Sequence, residues 1–312
     1  MENKRIIVAG GSGFIGSHLC EFLLKQGNNV VCVDNLSSGS KKNVEHLLYN
    51  KNFELIEHDI VGQLEIKASA GQFYNLASYA SPKDYYEHPL ETLYAGSFGV
   101  KNTLDFARAS KAKYLFASTS EVYGDPLEHP QKESYYGNVN SVGPRSCYDE
   151  AKRFGEALAV NYSKRFSVPV RIARIFNTFG PRMQADDGRV IPNFVSQALD
   201  GKPLTVYGKG QQTRSFCYVD DLVKGLVKLM ESTYSMPVNL GNPTELKVID
   251  LAKKIIAMTG SSSEIVFKTL PKDDPQRRKP DIAIAVKELG WKPTVSFDLG
   301  LKKTIDFFRE AK

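Results

Sequence analysis

Tyr148 and Lys152 stand four residues apart in Tyr148-Asp-Glu-Ala-Lys152, a spacing that puts both on one face of a helix. An ammonium beside a phenol stabilises the phenolate and draws its pKa from about 10 toward neutrality. Such a phenolate can take a proton from a hydroxyl as hydride leaves the same carbon. The spacing alone is common on surface helices, so its context decides its meaning. Upstream, the apolar run before Ala117-Ser-Thr119-Ser120-Glu121 reads as a strand, which brings these hydroxyls to the carboxyl edge of a sheet, where ligands bind.

The chain also carries what a hydride acceptor would need. Gly10-Gly-Ser-Gly13-Phe14-Ile15-Gly16 follows a strand pattern and opens a helical one. Glycines so spaced permit a tight turn, close approach of backbone to a pyrophosphate, and a helix N-terminus facing the phosphates. Asp34 ends the second strand, eighteen residues after Gly16, where a carboxylate accepts hydrogen bonds from the adenosine ribose. It repels a 2′-phosphate, so the cofactor is expected to be NAD and not NADP. Asn35, and Leu76-Ala77 after the fourth strand, complete the expected cofactor edge. Asp59-Ile60 either suits the adenine edge or is an ordinary strand end.

The elements that must position these groups alternate. Strand patterns over 5–9, 30–33, 53–56, 73–76, 114–117 and 170–173 are separated by helical stretches at 14–26, 97–110 and 149–166. That order predicts an α/β fold, a Rossmann-type doubly wound parallel sheet covered on both faces. After about residue 178 loop signals multiply, with helices at 191–200, 219–231, 248–258 and 298–310 and a strand at 237–240. The expected division is an NAD-binding domain over 1–178, joined by parts of 211–242. A smaller lobe, mainly for substrate, covers 179–312.

Composition narrows the function further. Of 312 residues, 42% are hydrophobic and 24% charged, ordinary values that argue against extended disorder. The net charge of +6 is spread along the chain, and no nucleic-acid partner is expected. Cys20, Cys32, Cys147 and Cys217 are too scattered for a disulfide framework or a metal site. No apolar run approaches the ~18 residues of a membrane helix, and no signal peptide precedes the first strand. The expectation is a reduced, cytoplasmic protein without metal.

Longer blocks carry a resemblance. Ser118-Thr-Ser-Glu-Val-Tyr-Gly-Asp-Pro126, Gly143-Pro-Arg-Ser-Cys-Tyr-Asp-Glu150, Arg174-Ile-Phe-Asn-Thr-Phe-Gly-Pro-Arg-Met183, Asp187-Gly-Arg-Val190 and Gln212-Thr-Arg-Ser-Phe216 resemble the extended short-chain dehydrogenase/reductases that act on nucleotide sugars. Within these the chain is most similar to the UDP-glucuronate decarboxylase family. The resemblance implies oxidation of the sugar at C4, loss of CO₂ from the resulting β-keto acid, and return of hydride to give UDP-xylose. It implies Tyr148 as base, helped by Thr119, with Lys152 tuning it. Ser120 and Glu121 would lie near C5. Arg214 would serve the decarboxylation step, or clamp pyrophosphate as in related epimerases. Ala80, Tyr85 and Arg145 would meet the glucuronate end, and Asn177, Arg189 and Tyr207 the UDP. The resemblance also implies a homodimer built on helices 97–110 and 149–166. Ser120 stands where the related 4,6-dehydratases carry Asp, so the acid that would expel the C6 hydroxyl is missing.

Two departures stand out. Tyr94-Ala95-Gly96 replaces the family's usual Lys-Thr-Asn, and Tyr79 replaces a smaller residue before Ala80-Ser81-Pro82. They leave room for a nucleotide-sugar 4-epimerase, or a decarboxylase that releases the UDP-4-keto-pentose. Tyr79 either crowds the sugar pocket or packs.

Overall fold

The computed structural model describes residues 5–64, 66, 69–269 and 277–311. The strands are β1 (Arg5–Ala9), β2 (Asn29–Asp34), β3 (Phe53–Glu57), β4 (Gln72–Asn75), β5 (Lys113–Thr119), β6 (Val170–Ile175) and β7 (Thr178–Phe179). Then come β8 (Leu204–Tyr207), β9 (Thr213–Ser215), β10 (Cys217–Tyr218), β11 (Pro237–Leu240), β12 (Glu245–Lys247), β13 (Ile265–Lys268) and β14 (Arg277–Arg278). The helices are α1 (Phe14–Lys25), α2 (Pro82–Glu87), α3 (Pro89–Tyr94), α4 (Val100–Ala109) and α5 (Ser146–Phe166). They continue with α6 (Val190–Leu199), α7 (Val219–Glu231), α8 (Val248–Thr259), α9 (Ala283–Leu289) and α10 (Phe297–Glu310).

Seven strands form the central sheet in the order β11-β6-β5-β4-β1-β2-β3, every pair parallel. Successive side chains on a strand point to opposite faces, so the uninterrupted apolar runs mean burial on both. Ile6, Val8, Val30 and Cys32 pack one way, with Leu19 and Leu23 of α1 and Leu222 and Leu226 of α7. Ile7, Ala9, Val31 and Val33 pack the other way, with Leu104 of α4 and Ala159 of α5. The first core runs on without a break into the later segments, through Phe194 of α6, Val206 of β8, Leu251 of α8 and Leu301 of α10. The chain returns to the sheet after residue 218, where α7 packs on it and β11 pairs with β6.

Several boundaries differ from the sequence reading. Helix α5 begins at Ser146 rather than 149, because the Tyr148 and Asp149 amides both donate to the Arg145 carbonyl at 3.1 Å. Tyr148 therefore sits in a first turn, close to the sheet edge. The helix read over 97–110 is α4 preceded by a π-helical turn at Ala95–Gly99. Helices α2, α3 and α9 and strands β8, β9, β12, β13 and β14 carry no period long enough to read, and their partners are distant in sequence. Among the described residues no helix is long and apolar enough to cross a membrane.

Asp221 of α7 ties the sheet half to the C-terminal segment. Its carboxylate accepts from the Thr294 amide at 2.8 Å, the Val295 amide at 2.7 Å and the Thr294 hydroxyl at 2.9 Å. Replacing Asp221 with Ala would remove the acceptor of these three part-buried hydrogen bonds, and the expected loss of stability in urea unfolding is about 2 kcal/mol.

Candidate active site

The loop after β1 is built for close approach. Gly10 has φ +75°, and a Cβ there would lie 2.7 Å from the Ala77 amide nitrogen. A Cβ on Gly16 would collide with the Gly10 carbonyl. Helix α1 starts at Gly13 with no side-chain cap and no acid in its first turn, so its N-terminal amides are left for a ligand. Asp34 holds this loop, its carboxylate accepting from the Ser12 amide at 2.8 Å and the Leu36 amide at 2.9 Å. Burial pushes its carboxyl above the usual range. Asn35 donates to Asp59 at 3.1 Å, and Ile60 is buried beneath Gly99.

One cleft joins almost everything the sequence singled out. Gly10, Gly13, Asp34, Asn35, Asp59, Ile60, Leu76 and Ala77 line a pocket of about 80 Å³. Gly10, Gly13 and Leu76 also border an adjoining cavity of about 230 Å³, together with Phe14, Ile15, Gly16, Ala80, Tyr85, Thr119, Ser120, Glu121, Arg145, Tyr148 and Lys152. Asn177 and Arg189 bridge to a third space of about 540 Å³, where Tyr207 and Arg214 lie.

The centre of the cleft differs from the sequence reading in its electrostatics. Lys152 does not hydrogen-bond the Tyr148 phenol; its ammonium donates to the Ala117 carbonyl at 2.9 Å and stands 5.7 Å from the centre of the phenol ring. Burial pushes the phenol up to about 12, against the opposing effect of a hydrogen bond with Thr119. The same burial lowers Lys152 to about 8. Desolvation is the largest cause for both groups. Tyr85 stacks on Tyr148, ring centres 5.2 Å apart and planes 13° apart, and its buried hydroxyl has no partner among the described residues.

Glu121 is the most constrained group. Arg145 donates to one carboxylate oxygen at 2.5 Å and Arg278 to the other. Against a strong burial effect, these two charges hold its carboxyl well below the usual range. Arg278 went unrecognised in the sequence, where it sits in the short basic run Arg277-Arg-Lys279. Only the pairing of β14 with β9, which sets Arg278 opposite Arg214, brings it here. Arg189 pairs with Asp187 at 2.9 Å. Tyr79 packs: its ring stacks on His88 at 4.8 Å and rests against the Tyr85–Tyr148 cluster. Of the altered triplet, Tyr94 is exposed, Ala95 borders the cofactor-side pocket, and Gly96 presses on Ala151 of α5.

Asp149 gives a testable consequence. Burial, and then the Glu121 charge, raise its carboxyl above the usual range, and one of its oxygens is buried without a partner among the described residues. A raised carboxyl keeps its proton in the folded state, so its stabilising share is complete below the unfolded value of ~4 and is lost as pH rises. Asp149→Asn is expected to exceed the parent protein in stability by about 1 kcal/mol at pH 8, the gap closing near pH 4 in denaturant titrations.

Comparison with known proteins agrees with this geometry. The family model described as GDP-mannose 4,6 dehydratase matches residues 7–304. The chain is 53% identical to UDP-glucuronic acid decarboxylase 1 of Xenopus tropicalis, over 99% of this chain and 73% of that protein. It is 50% identical to UDP-glucuronic acid decarboxylase 1 of Arabidopsis thaliana, over 99% and 70%. Among solved structures, UDP-glucuronic acid 4-epimerase from Bacillus cereus, in complex with UDP-glucuronic acid and NAD, superposes with a TM-score of 0.88 at 28% identity, covering 99% of this chain and all of that one. The chain belongs to the GDP-mannose 4,6 dehydratase family of extended short-chain dehydrogenase/reductases, on the branch formed by the UDP-glucuronic acid decarboxylases.

Proposed function

We propose that the chain is an NAD-dependent lyase that converts UDP-glucuronate to UDP-xylose, releasing C6 as CO₂ through a 4-keto intermediate. The observation that carries this reading is the Arg145–Glu121–Arg278 cluster in the same cleft as Tyr148 and Thr119. The roughly 50% identity to UDP-glucuronic acid decarboxylases over nearly the whole chain supports the substrate. Residues 1–178 with 219–240 form the cofactor half in this reading, and the remainder serves mainly the sugar nucleotide.

The residues fit a dinucleotide. Gly10 and Gly16 leave no room for side chains, and the uncapped start of α1 suits a pyrophosphate. Phe14, Ile15, Asp34, Asn35, Asp59, Ile60, Leu76 and Ala77 would complete the NAD site. When bound, NAD supplies the acceptor and the source of hydride at C4. Tyr148 removes the O4 proton as the phenolate, the form that the Thr119 hydrogen bond and the Arg189 charge favour against burial. Lys152, its charge weakened by burial, steadies the strand edge at Ala117 and the ribose side of the cofactor.

Two guanidinium groups then meet the sugar carboxylate and the enolate charge that remains when CO₂ leaves; a proton from water taken up at C5, hydride returned to C4 and the Tyr148 proton returned to O4 give UDP-xylose. Glu121, held ionised, aligns Arg145 and Arg278 and balances one of their charges. Arg214, on the neighbouring strand β9 and in register with Arg278, adds a further guanidinium. Ser120, Ala80 and Tyr85 shape the sugar end. Asn177, Arg189 and Tyr207 take the UDP, with Arg189 opposite phosphate. We further propose a cytoplasmic homodimer. An exposed apolar row, Leu90, Leu93, Tyr94 and Phe98 with Phe154 of α5, supports the dimer.

The product decides the reading. With C6-labelled UDP-glucuronate and catalytic NAD, labelled CO₂ and UDP-xylose are expected by NMR. CO₂ with accumulating NADH would indicate release of the UDP-4-keto-pentose. A galacto-configured uronate without CO₂ would overturn the decarboxylase in favour of a 4-epimerase. Tyr148→Phe should lower kcat by roughly 10³-fold while leaving the KM for UDP-glucuronate nearly unchanged. Light scattering should give a dimer, and Phe98→Asp should yield monomer.

A further inference from the structure

The loop at 180–184 leaves β7 toward the Asp187–Arg189 pair, yet it also reaches back to the cofactor side of the cleft. His18 of α1 has its Nε2 3.0 Å from the Pro181 carbonyl. Arg182 Nη2 donates to Glu21 of α1 at 2.5 Å and lies 3.3 Å from His46 Nε2. Gln184 Nε2 donates to the Ser38 carbonyl at 2.6 Å. Ser38 belongs to a strap, residues 36–40, that runs from Asp34 past the glycine loop. The strap is pinned at its base, because the Ser12 carbonyl accepts from the Ser40 amide at 3.1 Å and from Asn43 Nδ2 at 2.9 Å.

Arg182, Gln184, Ser38 and Asn43 border the same cavity as Gly10 and Gly13. Strap and loop each carry a non-glycine residue in the left-handed region, Leu36 at φ 58° and Arg182 at φ 67°. Such conformations are unfavourable for long side chains and persist where surrounding contacts hold them. Here the holding contacts are those that join the two segments to each other and to α1.

We propose that strap and loop form a clasp across the dinucleotide cleft, closed by Gln184–Ser38 and Arg182–Glu21, that retains the cofactor throughout the catalytic cycle. The proposal rests on the functional reading above. In a redox-neutral reaction the hydride taken from C4 returns to the same sugar, so a cofactor lost midway would strand the ketone. A clasp that opens slowly prevents that loss. Its loop continues directly into Asp187 and Arg189, so an occupied sugar-nucleotide side also favours the closed clasp. Arg182 and Gln184 are positioning residues, acting through Glu21 and the strap.

The test uses the intact protein loaded with radiolabelled NAD and chased with excess unlabelled NAD, the dissociation rate being read by rapid filtration. Removing one neutral hydrogen bond in Gln184→Ala should speed release about threefold. Removing a charge-assisted one in Arg182→Met should speed it about tenfold. Association rates should stay the same, and the fraction of turnovers ending in free NADH should rise. Gln184 is exposed, so its variant decides the matter even if Arg182→Met fails to fold. Unchanged dissociation rates in a protein that binds NAD would overturn the clasp alone. A parent protein that binds no NAD would overturn the functional reading and the clasp with it.

Discussion

The site depends on a carboxylate buried between two guanidinium groups. Glu121 follows the central strand β5, Arg145 caps the start of α5, and Arg278 lies on β14, more than 150 residues away in sequence. A buried ion pair returns little net stability over an apolar replacement, but breaking one leaves an uncompensated charge at a cost of about 3–5 kcal/mol. The arrangement therefore fixes geometry more than it adds stability. It locks the sheet edge, the helix that carries Tyr148, and the far lobe into one relation. The sugar pocket is the space that this relation leaves.

Around this centre the low dielectric acts on each titratable group in its own direction. It raises the phenol of Tyr148, lowers the ammonium of Lys152, and raises the carboxyl of Asp149 beside a Glu121 that its two arginines hold ionised. Two carboxyl groups on neighbouring elements are thus shifted in opposite directions. The difference lies in partners: Glu121 has two arginines, whereas one oxygen of Asp149 has none among the described residues.

What the sequence disclosed follows from the range of the interactions involved. The sheet strands and the helices against it show strong periodicity, because each buries a face over many residues. The glycine loop and Asp34 were legible because their spacing is itself the chemistry. The short strands β9, β12 and β14 were not, since two or three residues carry no period and their pairing spans tens of residues. Arg278 was hidden for the same reason. A run of basic residues looks like a solvated surface until the fold sets one of them against a carboxylate. Tyr79 could be read as crowding the pocket or as packing, and only the stack with His88 distinguishes the two. The phenol's burial was also invisible, because depth is a property of the assembled core.

The π turn at Ala95–Gly99 sets how closely the chain can approach the helix that carries the base. A Cβ at Gly96 would stand 2.5 Å from the Cβ of Ala151, one residue from Lys152. The two positions form a size-matched pair across the seam between the turn and the helix that carries the base. Any side chain at 96 would force the two segments apart, because its Cβ would also lie 3.0 Å from the Ala151 carbonyl oxygen. The closeness of turn and helix, and with it the placement of the base, therefore rests on position 96 carrying no side chain.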